Sequence, residues 1–253
     1  MSILAIFKDS LVLLGKQPKL FAPKIIVAFL YGIIMLVMAQ FTLFFLAEFS
    51  SGALSDPVAI IVFDLALMLG AFIVFFIDVF TNAMYPEIIR DFFDKKPISF
   101  GSAALSIKDK IIKIFLSIIF IEFLLTAPFS LILAGLLLTN NRVLVYLFII
   151  LFLVVYLALA AIFYFAYPVL VLGENFFLKF FSESFRLSSK KMPKILVFSF
   201  VPFFISIISF VLAFLARDPA FLLLFIVMRF LMALLQTYHM VLNPSIFLKY
   251  DQL

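Results

Sequence analysis

The chain has 253 residues, 67% of them hydrophobic and 13% charged, with 38 Phe, no Trp, no Cys and a net charge of +5. Ordinary globular domains are about half apolar and a quarter charged, so the polar side chains here are too few to coat a soluble globule. A soluble fold, a disordered chain, a disulfide framework and a nucleic-acid-binding module are all excluded by that arithmetic.

A helix that crosses the hydrocarbon core of a bilayer needs about 20 mostly apolar residues. The first segment, Met1–Leu14, is too interrupted for that, because Lys8 and Asp9 break it. It also lacks the basic start and small-residue site of a cleavable signal. Its Ile3, Leu4, Phe7, Leu11 and Leu14 share one helical face, which predicts a helix lying in the headgroup plane. Six spans are then predicted at Ile25–Ala47, Val58–Met84, Ile111–Leu137, Val143–Val171, Ile195–Ala216 and Ala220–Leu242. The short alternating segments of a membrane β-barrel are missing. Pro128 and Pro202 are expected to kink the third and fifth spans.

The cations fix an expected orientation. Lys8, Lys16, Lys19 and Lys24 precede the first span. Arg90, Lys95, Lys96, Lys108, Lys110 and Lys113 lie between the second and third, and Lys179, Arg186, Lys190, Lys191 and Lys194 between the fourth and fifth. Lys249 closes the chain. These are 16 of the 19 Lys and Arg, against Arg142 and Arg217 on the opposite side and Arg229 inside a span. The excess predicts cytoplasmic termini in the cell membrane, and only short outer loops near Ser50–Asp56, Thr139–Arg142 and Arg217–Asp218. Among the inner cations, Lys16, Lys19, Lys108, Lys110, Arg186, Lys190 and Lys191 are the expected contacts for anionic lipid headgroups.

Each pair of spans follows a basic amphipathic stretch. Before the second pair, Ser99, Ser102, Ser106, Lys110 and Lys113 form a polar stripe with Ala103, Leu105 and Ile107 off it. Before the third, Lys179, Glu183, Arg186 and Lys190 oppose Phe177, Phe180, Phe181 and Leu187. Tyr85-Pro86 recurs as Tyr167-Pro168, and Ser10, Ser102 and Ser184 are each followed six residues later by Lys16, Lys108 and Lys190. The pattern predicts three pseudo-repeats within a single membrane domain, at roughly 1–90, 91–172 and 173–253, related by rotation about the membrane normal. Basic, amphipathic inner loops would give part of the same pattern without a repeat. The expected fold class is an all-α, polytopic bundle of six transmembrane helices arranged as three hairpins, each preceded by an interfacial helix.

Polar groups inside hydrocarbon are costly and tend to face protein. The set is Asp64, Asp78, Glu122 and Arg229, with Gln40, Asn82, Gln236 and the sole histidine, His239, near span ends. Glu122 and Arg229 fall near the midplane by residue count and are expected to be buried as a pair. Asp78 and Asn82 lie one turn apart, level with Gln236 and His239. Two readings stay open: a polar path for transport through Glu122, Arg229, Asp78, Asn82, His239 and Asp64, or one structural ion pair with polar contacts between helices. With no Cys and one His, no Cys/His metal site or thiol nucleophile is expected, and no catalytic residue or cofactor. Asp64 and Asp78 share a helix face but stand about 21 Å apart along it, too far to act on one bond.

Two segments resemble a known group. Phe7-Lys-Asp-Ser10 with Lys16-Gln-Pro-Lys19 looks like the start of uncharacterised archaeal and bacterial six-span membrane proteins. Tyr167-Pro-Val-Leu-Val-Leu-Gly-Glu174, followed by Phe181-Ser-Glu-Ser-Phe-Arg-Leu187, resembles their second signature. Some members resemble the membrane region joined to glycerophosphodiester phosphodiesterases. The resemblance implies a six-span fold, and the catalytic barrel of those enzymes is absent from this sequence. The expected function is a non-enzymatic membrane scaffold that organises lipid or a membrane-protein partner. The alternative is a small transporter or channel.

Overall fold

A computed structural model describes residues 3–50, 57–138, 141–173, 177–215 and 221–250. The described residues fold into helices and hold no strand. In chain order these are α1 (Ile3–Lys16), a 3₁₀ turn (Pro18–Phe21), α2 (Ala22–Ser50), α3 (Pro57–Phe93), α4 (Phe100–Ile107) and α5 (Ile111–Leu138). Then follow α6 (Arg142–Ile162), α7 (Ala166–Leu172), α8 (Phe177–Lys190), α9 (Met192–Leu215) and α10 (Leu222–Leu248). Six stretches are long and apolar enough to cross a membrane: α2, α3, α5, α6 continued by α7, α9 and α10. The chain is an all-α, polytopic membrane protein. Residues 51–56, 139–140 and 216–220, where most of the expected outer loops fall, lie outside the described residues.

The helix ends follow local chemistry. The Ser99 hydroxyl caps α4 by accepting from the Ser102 N–H at 3.2 Å, and the Asn141 side chain caps α6 by accepting from the Leu144 N–H. α3 runs through Pro86 and stops at a Schellman-type cap. There Lys96 N–H donates to the Asp91 carbonyl at 2.8 Å and Lys95 N–H to that of Phe92, with Lys95 left-handed at φ 59°. Exposure along α6 also speaks for lipid: Val143, Tyr146, Leu147, Ile150, Leu151 and Val154 all face outward from the protein. So many large apolar side chains in water would be an aggregation surface.

α5 and α9 continue without interruption through Pro128 and Pro202. The interruption falls instead at Phe163–Phe165, splitting the fourth span into α6 and α7. A proline removes one N–H and crowds the carbonyl four residues earlier, and Pro168 does this to Tyr164. Pro244 lies inside α10, in the pair Asn243-Pro244.

The chain forms two compact units. One contains residues 1–13, 82–204 and 239–253, and the other residues 14–81 and 205–238. In the first, α5 packs along α6, and α8 packs against both α6 and α7. Phe does the filling. Phe165, Phe180 and Phe198 are fully buried, Phe7 meets Phe198 at 5.1 Å between ring centroids, and Phe129 stacks on Phe152. In the second, Leu20, Val27, Val74, Val79, Met232 and Ala233 are buried, and α2 and α3 approach closely where Gly70 faces Ile34.

The C-terminal residues buckle the first unit. Tyr250 Oη donates to the Leu187 carbonyl at 2.7 Å, and Lys191 Nζ donates to the Tyr250 carbonyl at 2.6 Å. Lys249 pairs with Asp9 of α1 at 3.2 Å. Replacing Tyr250 with Phe removes the hydroxyl and is expected to cost about 1 kcal/mol. A thermal-unfolding series in detergent checks this; an unchanged midpoint would show that the tail does not hold α8.

Candidate functional site

In the second unit, charge is buried where hydrophobicity would exclude it. Lys24, at the start of α2, is only 2% exposed, and its ammonium reaches the Asp78 carboxylate of α3 at 2.5 Å. Asp78 is 22% exposed, so the pair is largely shielded from solvent. Thr81 Oγ1 donates to the Asp78 backbone carbonyl at 2.8 Å. Further along, the Arg229 guanidinium of α10 lies 4.4 Å from the centre of the Tyr31 ring and 5.9 Å from that of Phe225. Asp78 is within electrostatic range of both Tyr31 and Arg229. Lys24, Asp78, Tyr31 and Arg229 are thus one polar set within one unit.

In the first unit, the polar groups serve the broken span. With Ala166 N–H bonded to the Phe163 carbonyl, the Ile162 carbonyl loses its helical donor, and Ser184 Oγ of α8 supplies one at 3.0 Å. The Tyr164 carbonyl, deprived by Pro168, accepts from the side-chain amide of the buried Asn243. The Val171 carbonyl at the end of α7 accepts from Lys110 Nζ at 2.9 Å. Three side chains from three other segments therefore satisfy three carbonyls of the broken span. Asn82 Nδ2 donates to the Tyr167 hydroxyl at 3.3 Å, and His239 lies 5.7 Å from the Tyr164 ring centre.

No protein-family model, curated protein or solved structure matches the chain.

The polar residues singled out by sequence divide between these sets. Asp78 and Arg229 belong to the charged set; Asn82 and His239 belong to the set around the break. Glu122 corrects an expectation: it is exposed, not covered by protein, because α5 buries Ile114, Ser117, Ile118 and Ile121 and Glu122 is turned about 100° from the last of these. Gln40 is exposed, and the Asp64 side chain lies outside the described residues. Lys24, counted by sequence among surface cations, was missed as a buried partner. Its one signal is position, since it directly abuts the apolar run of α2. Asn243 was missed too, although Asn243-Pro244 repeats the form of the Tyr-Pro pairs.

The short helices α1, α4 and α8 present a third arrangement. Their protein-facing sides carry small or compact groups: Ile6, Ser10 and Leu13 in α1, Ala103 and Ile107 in α4, Phe180, Ser184 and Ser188 in α8. The outward sides of α1 and α8 mix cations with large apolar groups, and a cation follows α4. Leu4, Lys8, Leu11 and Val12 share one exposed face of α1, with Leu4 78% exposed. Leu105 is 72% exposed in α4, close in sequence to the exposed Lys108, and Phe185 is exposed beside Arg186 in α8. Cations and apolar side chains were expected on opposite faces of these helices; the inner side instead takes Ser10, Ala103, Ser184 and Ser188 together with Ile6, Leu13, Ile107 and Phe180, and further large apolar groups lie outward. Of the expected headgroup contacts, Lys16, Lys19, Lys108, Lys110, Arg186 and Lys190 are exposed, and Lys191 is half-buried. Lys110 and Lys191 also donate to the Val171 and Tyr250 carbonyls.

Proposed function

We propose that the protein is a non-enzymatic, multi-pass protein of the cell membrane that organises anionic lipid headgroups at its cation-rich, cytoplasmic side. One observation carries the reading: the outward faces of α1 and α8 place Lys or Arg beside exposed Leu, Val or Phe, and the exposed Lys108 follows directly on α4 with its exposed Leu105. A side chain such as Leu4 or Phe185 is stabilised in the acyl region just below the headgroups, while Lys8 or Arg186 extends to phosphate. Neither group alone makes that case. Together they describe helices seated at the boundary of a bilayer.

The three short helices also support reading the chain as three hairpin repeats. Asn243-Pro244 supplies the third member of the Tyr85-Pro86 and Tyr167-Pro168 series. In that reading each hairpin is preceded by one interfacial helix at the cytoplasmic side. The likeness to six-span families of archaea and bacteria agrees with this architecture and contributes no functional residue.

Native mass spectrometry of protein released from mixed phosphatidylcholine and phosphatidylglycerol nanodiscs tests the reading. Wild type is expected to retain phosphatidylglycerol preferentially. A Lys8→Glu, Lys108→Glu, Lys190→Glu variant is expected to lose that preference, since each cation near the surface contributes about 1 kcal/mol. Equal retention of the two lipids by wild type would refute the proposal.

A further inference from the structure

Arg229 stands apart from the lipid-facing helices and is the least satisfied member of its polar set. Its guanidinium is planar, with donors directed outward in the plane of the group. Tyr31 and Phe225 offer ring faces to it, which stabilise the cation but accept no in-plane hydrogen bond. Among the described residues the Arg229 guanidinium donates no hydrogen bond. A permanently charged group with unmet donors is costly within a membrane span.

Charge counting points the same way. Among the described side chains of this set there are two cations, Lys24 and Arg229, and one carboxylate, Asp78. Asp78 is bonded to Lys24 at 2.5 Å, so its charge is already engaged. Among the described residues the set keeps an excess of one positive charge. The complementary ligand is a group with one negative charge and two coplanar acceptors, which a guanidinium binds in a fork. We propose that Arg229, backed by Tyr31 and Phe225, is an intramembrane site for a phosphate oxyanion. The phosphate could belong to a lipid headgroup or to free inorganic phosphate, which offer the same pair of oxygens.

Two measurements on the full-length protein separate these sources. Inorganic phosphate is titrated into delipidated protein by isothermal calorimetry. Retention of phosphatidylglycerol after delipidation is read by native mass spectrometry. Saturable phosphate binding by wild type that becomes about tenfold weaker in Arg229→Lys, which keeps the charge but not the fork, identifies free phosphate. Phosphatidylglycerol that stays bound to wild type but leaves Arg229→Lys, in which the cations of α1 and α8 are intact, identifies the lipid. That pattern also separates this site from the proposed interfacial helices. If wild type shows neither binding, the site does not exist, whatever the variants do. Phe225→Leu, which leaves the guanidinium intact, is expected to weaken binding less than Arg229→Lys; an equal loss would overturn the role of the fork.

Discussion

Replacing Lys24 with methionine is expected to lower the stability of the protein by about 3 kcal/mol, the low end for breaking a buried ion pair by removing one partner. The cost arises on the other side of the bond. Methionine fills the space of the lysine stem, but the Asp78 carboxylate then loses an ammonium 2.5 Å away in a site where it is only 22% exposed. Arg229, within electrostatic range of Asp78, offsets part of that loss, which is why the low end applies. The double variant Lys24→Met, Asp78→Leu is expected to recover most of the stability, because no uncompensated charge remains. Unfolding in mixed detergent micelles reads both. If the single and double variants lose the same amount, the lysine matters for packing and the ion pair does not.

The second large effect is expected at Asn243. Leucine there has similar size but no donor, and the Tyr164 carbonyl that Pro168 has deprived of its helical partner is left unsatisfied. A buried carbonyl without a donor costs about 1–3 kcal/mol. The mechanism can be isolated. In a Pro168→Ala background the restored N–H can bond the Tyr164 carbonyl, so Asn243→Leu is expected to cost clearly less than in wild type. A double-mutant cycle measures that difference. Strict additivity would mean that Asn243 stabilises α10 in some way unconnected with the break.

Both cases show what sequence could and could not convey. Long apolar runs are sufficient to place six spans, since hydrocarbon demands about 20 apolar residues per crossing whatever the packing. Six helices meet that length and composition. Local signals also suffice for caps such as Ser99 and Asn141, because the partner lies three residues away. Pairing is different. Lys24 and Asp78 are 54 residues apart, and nothing in either neighbourhood names the other. Glu122 looked buried by its depth, yet depth says nothing of rotation, and one turn of a helix carries a side chain right around its axis. The faces of α1 and α8 misled for a related reason. Periodicity finds a stripe of Leu or Phe, but which side meets protein depends on the room available, and there serine fits better than leucine. Pro168 breaks its span and Pro128 does not interrupt α5, a difference that the local sequence alone does not settle.

The proposed lipid-organising role has one most direct test. Purified protein is reconstituted in phosphatidylcholine vesicles with trace amounts of spin-labelled phosphatidylglycerol or spin-labelled phosphatidylcholine, and the motionally restricted fraction is read by electron paramagnetic resonance. The anionic probe is expected to associate about fivefold more strongly than the zwitterionic one, the ratio for about 1 kcal/mol of headgroup attraction. Raising the salt to molar concentration should reduce that ratio toward one. Equal restriction of the two probes at low salt would contradict the account.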